Sequence, residues 1–120
     1  HASPRLPGAL SIEQAATILG VPASRFNASW RQNKVAVPYQ GQVSRQSVVR
    51  AYVLLRLQAF LGDQSAVALE IARSLNDPTL DRLLDGEIQD VTVSLPGGRF
   101  TVLLPSLADL RDQIAATASW

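Results

Sequence analysis

The pattern of apolar and polar positions divides this chain into a mostly helical run to about residue 85, a strand-like stretch, and one last helix. Ile12, Ala15, Ala16 and Leu19 recur at i, i+3, i+4 and i+7, which predicts an amphipathic helix. Ser11 with Gln14 supplies a capping box at its start, and Gly20 a left-handed exit at its end. Val21 then plugs a sharp turn, Pro22 opens a second helix, and Phe26 and Trp30, four apart, form its buried stripe. The opposite face carries Ser24, Arg25, Asn27, Ala28 and Arg31, small or hydrogen-bonding groups with little reason to be buried. Lys34 to Val43 is a short apolar alternation interrupted by Pro38 and turned at Gly41, which predicts a hairpin. Ser44 caps a third helix whose apolar positions (Val48, Val49, Tyr52, Val53, Leu55, Leu57) form a coat wider than one stripe, so it must pack on two sides. Gly62 ends it, and a fourth helix from Ser65 to Leu75 turns Val67, Ala68, Ile71, Ala72 and Leu75 inward.

After a break at Asn76-Asp77-Pro78, Leu80, Leu83 and Leu84 predict one or two helical turns before Gly86. The period then changes. Val91, Val93 and Leu95 alternate with Thr92 and Ser94, and Phe100, Val102 and Leu104 with Thr101 and Leu103. A Gly97-Gly98 turn would set Leu95 opposite Phe100, Val93 opposite Val102 and Val91 opposite Leu104, with all six side chains on one face. A last helix follows Pro105, opened by Ser106 and Asp109 and resting on Leu107, Leu110 and Ile114. A two-stranded hairpin is marginal alone, so this one must lie against a helix or pair with another copy. The fold class is therefore mainly α with a small β part, an α+β chain.

Charge changes the picture. Residues 1–60 hold seven basic side chains (Arg5, Arg25, Arg31, Lys34, Arg45, Arg50, Arg56) against one acid, Glu13, a surplus of six. Residues 61–120 hold four basic side chains against nine acids, a deficit of five. A basic first half beside an acidic second half points to polyanion binding at one end, with charges meeting across an internal or dimer contact as the alternative.

At residues 10 to 75 the chain resembles the DNA-binding head of MerR-type and excisionase-type winged helix-turn-helix proteins. The resemblance rests on the Leu10–Ile12 opening, Ala15 with Ala16, Leu19-Gly20-Val21, Trp30 near the end of the second helix, the basic hairpin at Lys34–Val43, the cap at Ser44, and the helix pair Val48–Leu61 and Ala66–Leu75. Pro22 stands where the family often has a hydroxyl residue, and the segment before Trp30 is one residue longer, which leaves the register of the DNA-facing side chains open. The resemblance implies a winged helix-turn-helix domain over 10–76, preceded by a disordered lead or tag remnant (1–9) and followed by a small acidic tail of hairpin and helix (77–120). It also implies duplex DNA as the partner. Ser24, Arg25, Asn27 and Arg31 are the candidates for base or phosphate contact, since Arg and Asn make bidentate contacts to guanine and adenine. Lys34, Tyr39, Gln40 and Gln42 are candidates on the wing, with Arg45 and Arg50 exposed on the helix after it. Tyr39 has a second reading as core. The order of elements is also similar to DNA-binding antitoxins of toxin–antitoxin pairs, in which the tail binds the toxin. The expected state is a homodimer held through residues 77–120 by the apolar hairpin face.

The residue inventory argues against catalysis. There is no cysteine, the one histidine is His1, and no glycine-rich phosphate loop or zinc spacing occurs, so neither metal nor cofactor is expected. No apolar run nears the ~18 residues of a membrane span, and the Pro-rich first residues lack the core of a signal peptide, which fits a cytoplasmic, nucleoid-associated protein. The competing reading is a protein-interaction module whose acidic tail binds a partner while the basic head contacts RNA or nothing.

Overall fold

The computed structural model describes residues 9–27, 29–62, 66–104 and 107–118. It opens with a strand that sequence periodicity does not reveal: β1 (Ala9–Ser11) pairs antiparallel with β2 (Gln42–Ser44), Leu10 opposite Val43. Three residues are too few to show a period, yet Leu10 and Val43 are both buried beneath the pair. Ala9 therefore belongs to the fold and not to the lead.

Helix α1 (Ile12–Leu19) begins at the expected cap. The Gln14 N–H donates to Ser11 Oγ (3.1 Å) and the Ser11 N–H to Gln14 Oε1 (3.0 Å), so two amides the helix leaves unpaired are satisfied reciprocally. Gly20 takes φ 72°, and the Val21 N–H returns to the Ala16 carbonyl (3.0 Å), closing the helix in a Schellman turn. The second helix departs from expectation. It starts at Ser24, two residues after Pro22, and is seen as two short pieces, α2 (Ser24–Asn27) and α3 (Ser29–Gln32), with residue 28 outside the described residues. The stripe survives this change: Phe26 and Trp30 are buried edge to face, ring centres 4.8 Å apart.

The predicted strand at residues 34–38 is absent, because Val35 and Ala36 are buried side by side rather than alternately. In its place is a tight turn. Tyr39 and Gln42 exchange N–H···O bonds (2.8 and 3.1 Å), and the intervening Gln40 and Gly41 both have positive φ (53° and 78°), the conformation a two-residue hairpin turn requires.

Ser44 caps α4 (Arg45–Leu61), which is packed by α1, β2, α5 (Ala66–Ser74) and α6 (Asp77–Leu84), as its wide apolar coat demands. On α5, Ala68, Ile71 and Ala72 face inward with Leu75 beyond them, but Val67 is 41% exposed and does not join them. Helix α6 starts at Asn76, whose side chain accepts the Thr79 N–H (2.9 Å). Strands β3 (Asp90–Leu95) and β4 (Gly98–Leu103) form the second hairpin, two residues out of the expected register: Val91 opposes Val102 and Val93 opposes Phe100. The turn residues are Pro96 and Gly97 rather than Gly97 and Gly98. Proline's fixed φ suits the first turn position when the second has positive φ, and Gly97 has 107°. A slip of two preserves face parity, so Val91 and Val93 still point inward while the Thr92 and Thr101 hydroxyls meet outside (3.0 Å).

Helix α7 (Ala108–Ala118) lies on α1 and α6 with Leu110 and Ile114 buried. Buried side chains from Leu10 to Ile114 form one continuous cluster, so the core does not divide at residue 76. Of the six side chains expected on the hairpin's apolar face, Val91, Val93 and Leu104 are covered within the chain itself and Val102 is half-buried, whereas the side chains of Leu95 and Phe100 lie outside the described residues. No helix among the described residues is long and apolar enough to cross a membrane.

Candidate nucleic-acid interface

The sequence candidates separate into two groups. Ser24, Arg31, Lys34, Tyr39, Gln40 and Gln42 are all exposed, Tyr39 at 75%, so its core reading is excluded. Local packing and main-chain hydrogen bonds present them. Phe26 and Trp30 anchor α2 and α3 from within, and the Trp30 carbonyl accepts the N–H groups of both Val35 (2.9 Å) and Ala36 (3.3 Å). The turn at Tyr39–Gln42 is tied to the start of α1 by the Ile12 N–H donating to the Gly41 carbonyl (3.3 Å) and to β1 by strand pairing at Ser11. The side chains of Arg25 and Asn27 lie outside the described residues. Gln32, absent from the sequence candidates, is exposed beside Arg31 at the end of α3.

Lys34 merits separate notice. It occupies the left-handed position that ends α3 (φ 59°), its N–H donating to the Arg31 carbonyl (3.2 Å) while the Val35 N–H reaches Trp30. Glycine is the usual residue at such a position. Lys34 and Gln40 are the only non-glycine residues with positive φ among the described residues, and both are exposed candidates for nucleic-acid contact. Strained backbone of this kind persists where surrounding structure over-determines it and collects at functional sites.

Arg45 and Arg50 belong to the second group, and their assignment to the DNA-facing surface is corrected. The first turns of α4 face α6 rather than solvent. Asp81 accepts from Arg45 Nε (3.2 Å) and from Gln46 Nε2 on both carboxylate oxygens (3.1 and 3.0 Å). Arg50, whose side chain is 16% exposed, donates through Nη2 to the Leu75 carbonyl (2.9 Å) and lies 3.4 Å from Asp77; its Nε is buried without a hydrogen-bond partner among the described residues. These contacts span 25 to 36 residues, so no local pattern announces them. The division of charge along the chain was the one available signal. Elsewhere Arg73 pairs with Glu70, Arg82 with Glu87, and Arg111 with Asp85. By contrast, among the described residues neither Arg31 nor Lys34 has an ion-pair partner. Exposed cations without an ion-pair partner among the described residues, and exposed side-chain amides such as Gln32, Gln40 and Gln42, are the chemistry of phosphate and sugar contact.

Two concavities are less eloquent. One, of about 100 Å³, lies between α6 and α7 over Leu83, Leu84, Ile88, Leu104 and Leu107, with the Arg111–Asp85 pair at its rim; the other is a shallow polar depression beside Asn76, Thr79 and Asp90. No three His, Cys, Asp or Glu side chains come together to hold a metal ion among the described residues. Comparison with protein-family models, with curated proteins and with solved structures finds no match to this chain. What the site can do rests on its own residues.

Proposed function

We propose that the protein binds duplex DNA as a small transcription regulator of MerR-like type, reading it with residues 24–32 and steadying itself with the turn at Tyr39–Gln42. The observation that carries this reading is the exposed pair Arg31 and Lys34, which have no carboxylate partner among the described residues, while Arg45 and Arg50 are neutralised by Asp81 and Asp77. Among the described residues the fold supplies acids to Arg45 and Arg50 but none to Arg31 or Lys34, which leaves these two exposed cations available to an external anion. Ser24, Arg25, Asn27 and Arg31 are the side chains for base or phosphate contact, and Lys34, Tyr39, Gln40 and Gln42 those for the backbone. A narrower form of the same proposal is an antitoxin that represses its own operon, with the outward surface of residues 77–120 meeting a toxin.

Salt titration tests the reading. Three phosphate contacts per head give a slope of about −2.7 in log affinity against log salt, so raising salt from about 50 to about 200 mM weakens binding about 40-fold. Arg31→Ala should flatten the slope by about 0.9 with little change in melting temperature. A full-length chain with no duplex binding at about 50 mM salt refutes the proposal and leaves the protein-interaction module as the better account.

A further inference from the structure

The concavity between α6 and α7 joins an apolar floor to two opposite charges, and that combination sets the chemistry of an occupant. Leu83 and Leu84 at the end of α6, Leu104 and Leu107 are buried and line it together with Ile88. Asp85 and Arg111 stand at its rim, their side chains 49% and 34% exposed. Main-chain bonds fix its walls: the Leu104 N–H donates to the Gln89 carbonyl (2.9 Å), the Gly86 N–H to that of Leu83 (3.2 Å) and the Glu87 N–H to that of Arg82 (3.0 Å). The two helix ends that line it have opposite polarity. Helix α6 brings its C-terminus, with Leu84 and Asp85, and α7 its N-terminus, with Ala108. A helix C-terminus favours a cation and an N-terminus an anion. Asp85 and the α6 terminus thus both favour a positive group, and Arg111 and the α7 terminus a negative one; Asp109, on the first turn of α7, is exposed and outside the lining.

We propose that this concavity binds a free α-amino acid with a branched aliphatic side chain. The zwitterion presents its ammonium to Asp85 and its carboxylate to Arg111, while the side chain rests on Leu83, Leu84 and Leu107. Size selects the side chain. An apolar cavity of about 150 Å³ holds a benzene ring, so the volume of about 100 Å³ suits about four carbons, those of leucine or isoleucine. The head group must first part Arg111 from Asp85, but an ion pair this exposed contributes little and separates at small cost. Arg111 uses only Nη1 in that contact, so its other guanidinium donors have no partner among the described residues and can grip a carboxylate in the two-bonded manner of arginine. Other ligand classes leave a charge unanswered: a plain carboxylate meets Asp85 as a like charge, and a plain amine meets Arg111. The site stands on its own residues, whether or not the protein binds DNA.

Heteronuclear NMR of the full chain, titrated with L-leucine to about 10 mM, is the test. Saturable shifts are expected at Gly86, Ala108 and Arg111, with a Kd of about 10 µM to about 1 mM for a ligand of about nine non-hydrogen atoms. Leucinamide, which lacks the carboxylate, and isocaproate, which lacks the ammonium, should each bind at least about tenfold more weakly. Arg111→Gln and Asp85→Asn should each raise the leucine Kd at least about tenfold, whereas Arg82→Gln, in the exposed Arg82–Glu87 pair outside the lining, should leave it unchanged. No saturable binding of leucine or isoleucine by about 10 mM, leucinamide or isocaproate binding as tightly as leucine, or a leucine Kd unmoved by either Arg111→Gln or Asp85→Asn overturns the proposal.

Discussion

Replacing Lys34 with glycine should make the protein more stable and a poorer DNA binder at once. An L-residue in the left-handed region costs about 1–2 kcal/mol, and Lys34 sits there at φ 59°. Glycine removes that cost but loses about 0.5–1 kcal/mol more chain entropy on folding, so the net gain is about 0.5–1 kcal/mol. The hydrogen bonds that need this backbone, Lys34 N–H to Arg31 and Val35 N–H to Trp30, involve main-chain atoms alone and survive the change. For a chain of this length the gain corresponds to a melting temperature about 2–4 °C higher. On the proposed function Lys34 supplies one phosphate contact, so the salt slope should flatten by about 0.9, and at about 0.15 M salt affinity should fall about fivefold. Lys34→Ala separates the two effects, because it keeps the strained backbone and loses only the cation. Melting by circular dichroism and fluorescence anisotropy on a labelled duplex read both quantities. A Lys34→Gly variant that melts no higher than Lys34→Ala refutes the strain argument, and an unchanged slope in both variants removes Lys34 from the binding face.

Trp30→Ala should cost about 3–5 kcal/mol, since the ring is buried against Phe26; a variant that melts normally and loses only binding would transfer Trp30 to the site. Asp81→Asn leaves Arg45 and Gln46 without a charged acceptor in a pair still a quarter to a third exposed (24% and 34%), so a loss of about 1 kcal/mol is expected, smaller in high salt; equal melting at all salt concentrations would show that the link between α4 and α6 is idle. Ending the chain after Pro78 removes Leu80, Leu83, Leu84, Leu107, Leu110 and Ile114 from a continuous core, so the fragment should lose cooperative unfolding; a cooperative melt would mean the head folds alone.

Much of the local structure was legible from residues close together in the chain. Ser11 with Gln14, Gly20 and Ser44 mark helix ends because caps depend on groups three to five residues apart, and the inward parity of Val91 and Val93 follows from strict alternation. Among the candidate residues, the exposure of Ser24, Arg31, Lys34, Gln40 and Gln42 follows from their chemistry and from the burial of Phe26 and Trp30 between them. Tertiary structure decided what two-body local rules leave degenerate. Parity cannot distinguish registers that differ by two, and Pro96 broke that tie through its fixed φ. The Ala9–Ser11 strand exists only because Gln42–Ser44 lies beside it. An arginine on a helix reads the same in sequence whether it meets solvent or a carboxylate. Arg45 and Arg50 were taken out of the candidate surface by Asp81 and Asp77, which α6 brings across the fold from more than 25 residues away, whereas among the described residues no acid pairs with Arg31 or Lys34.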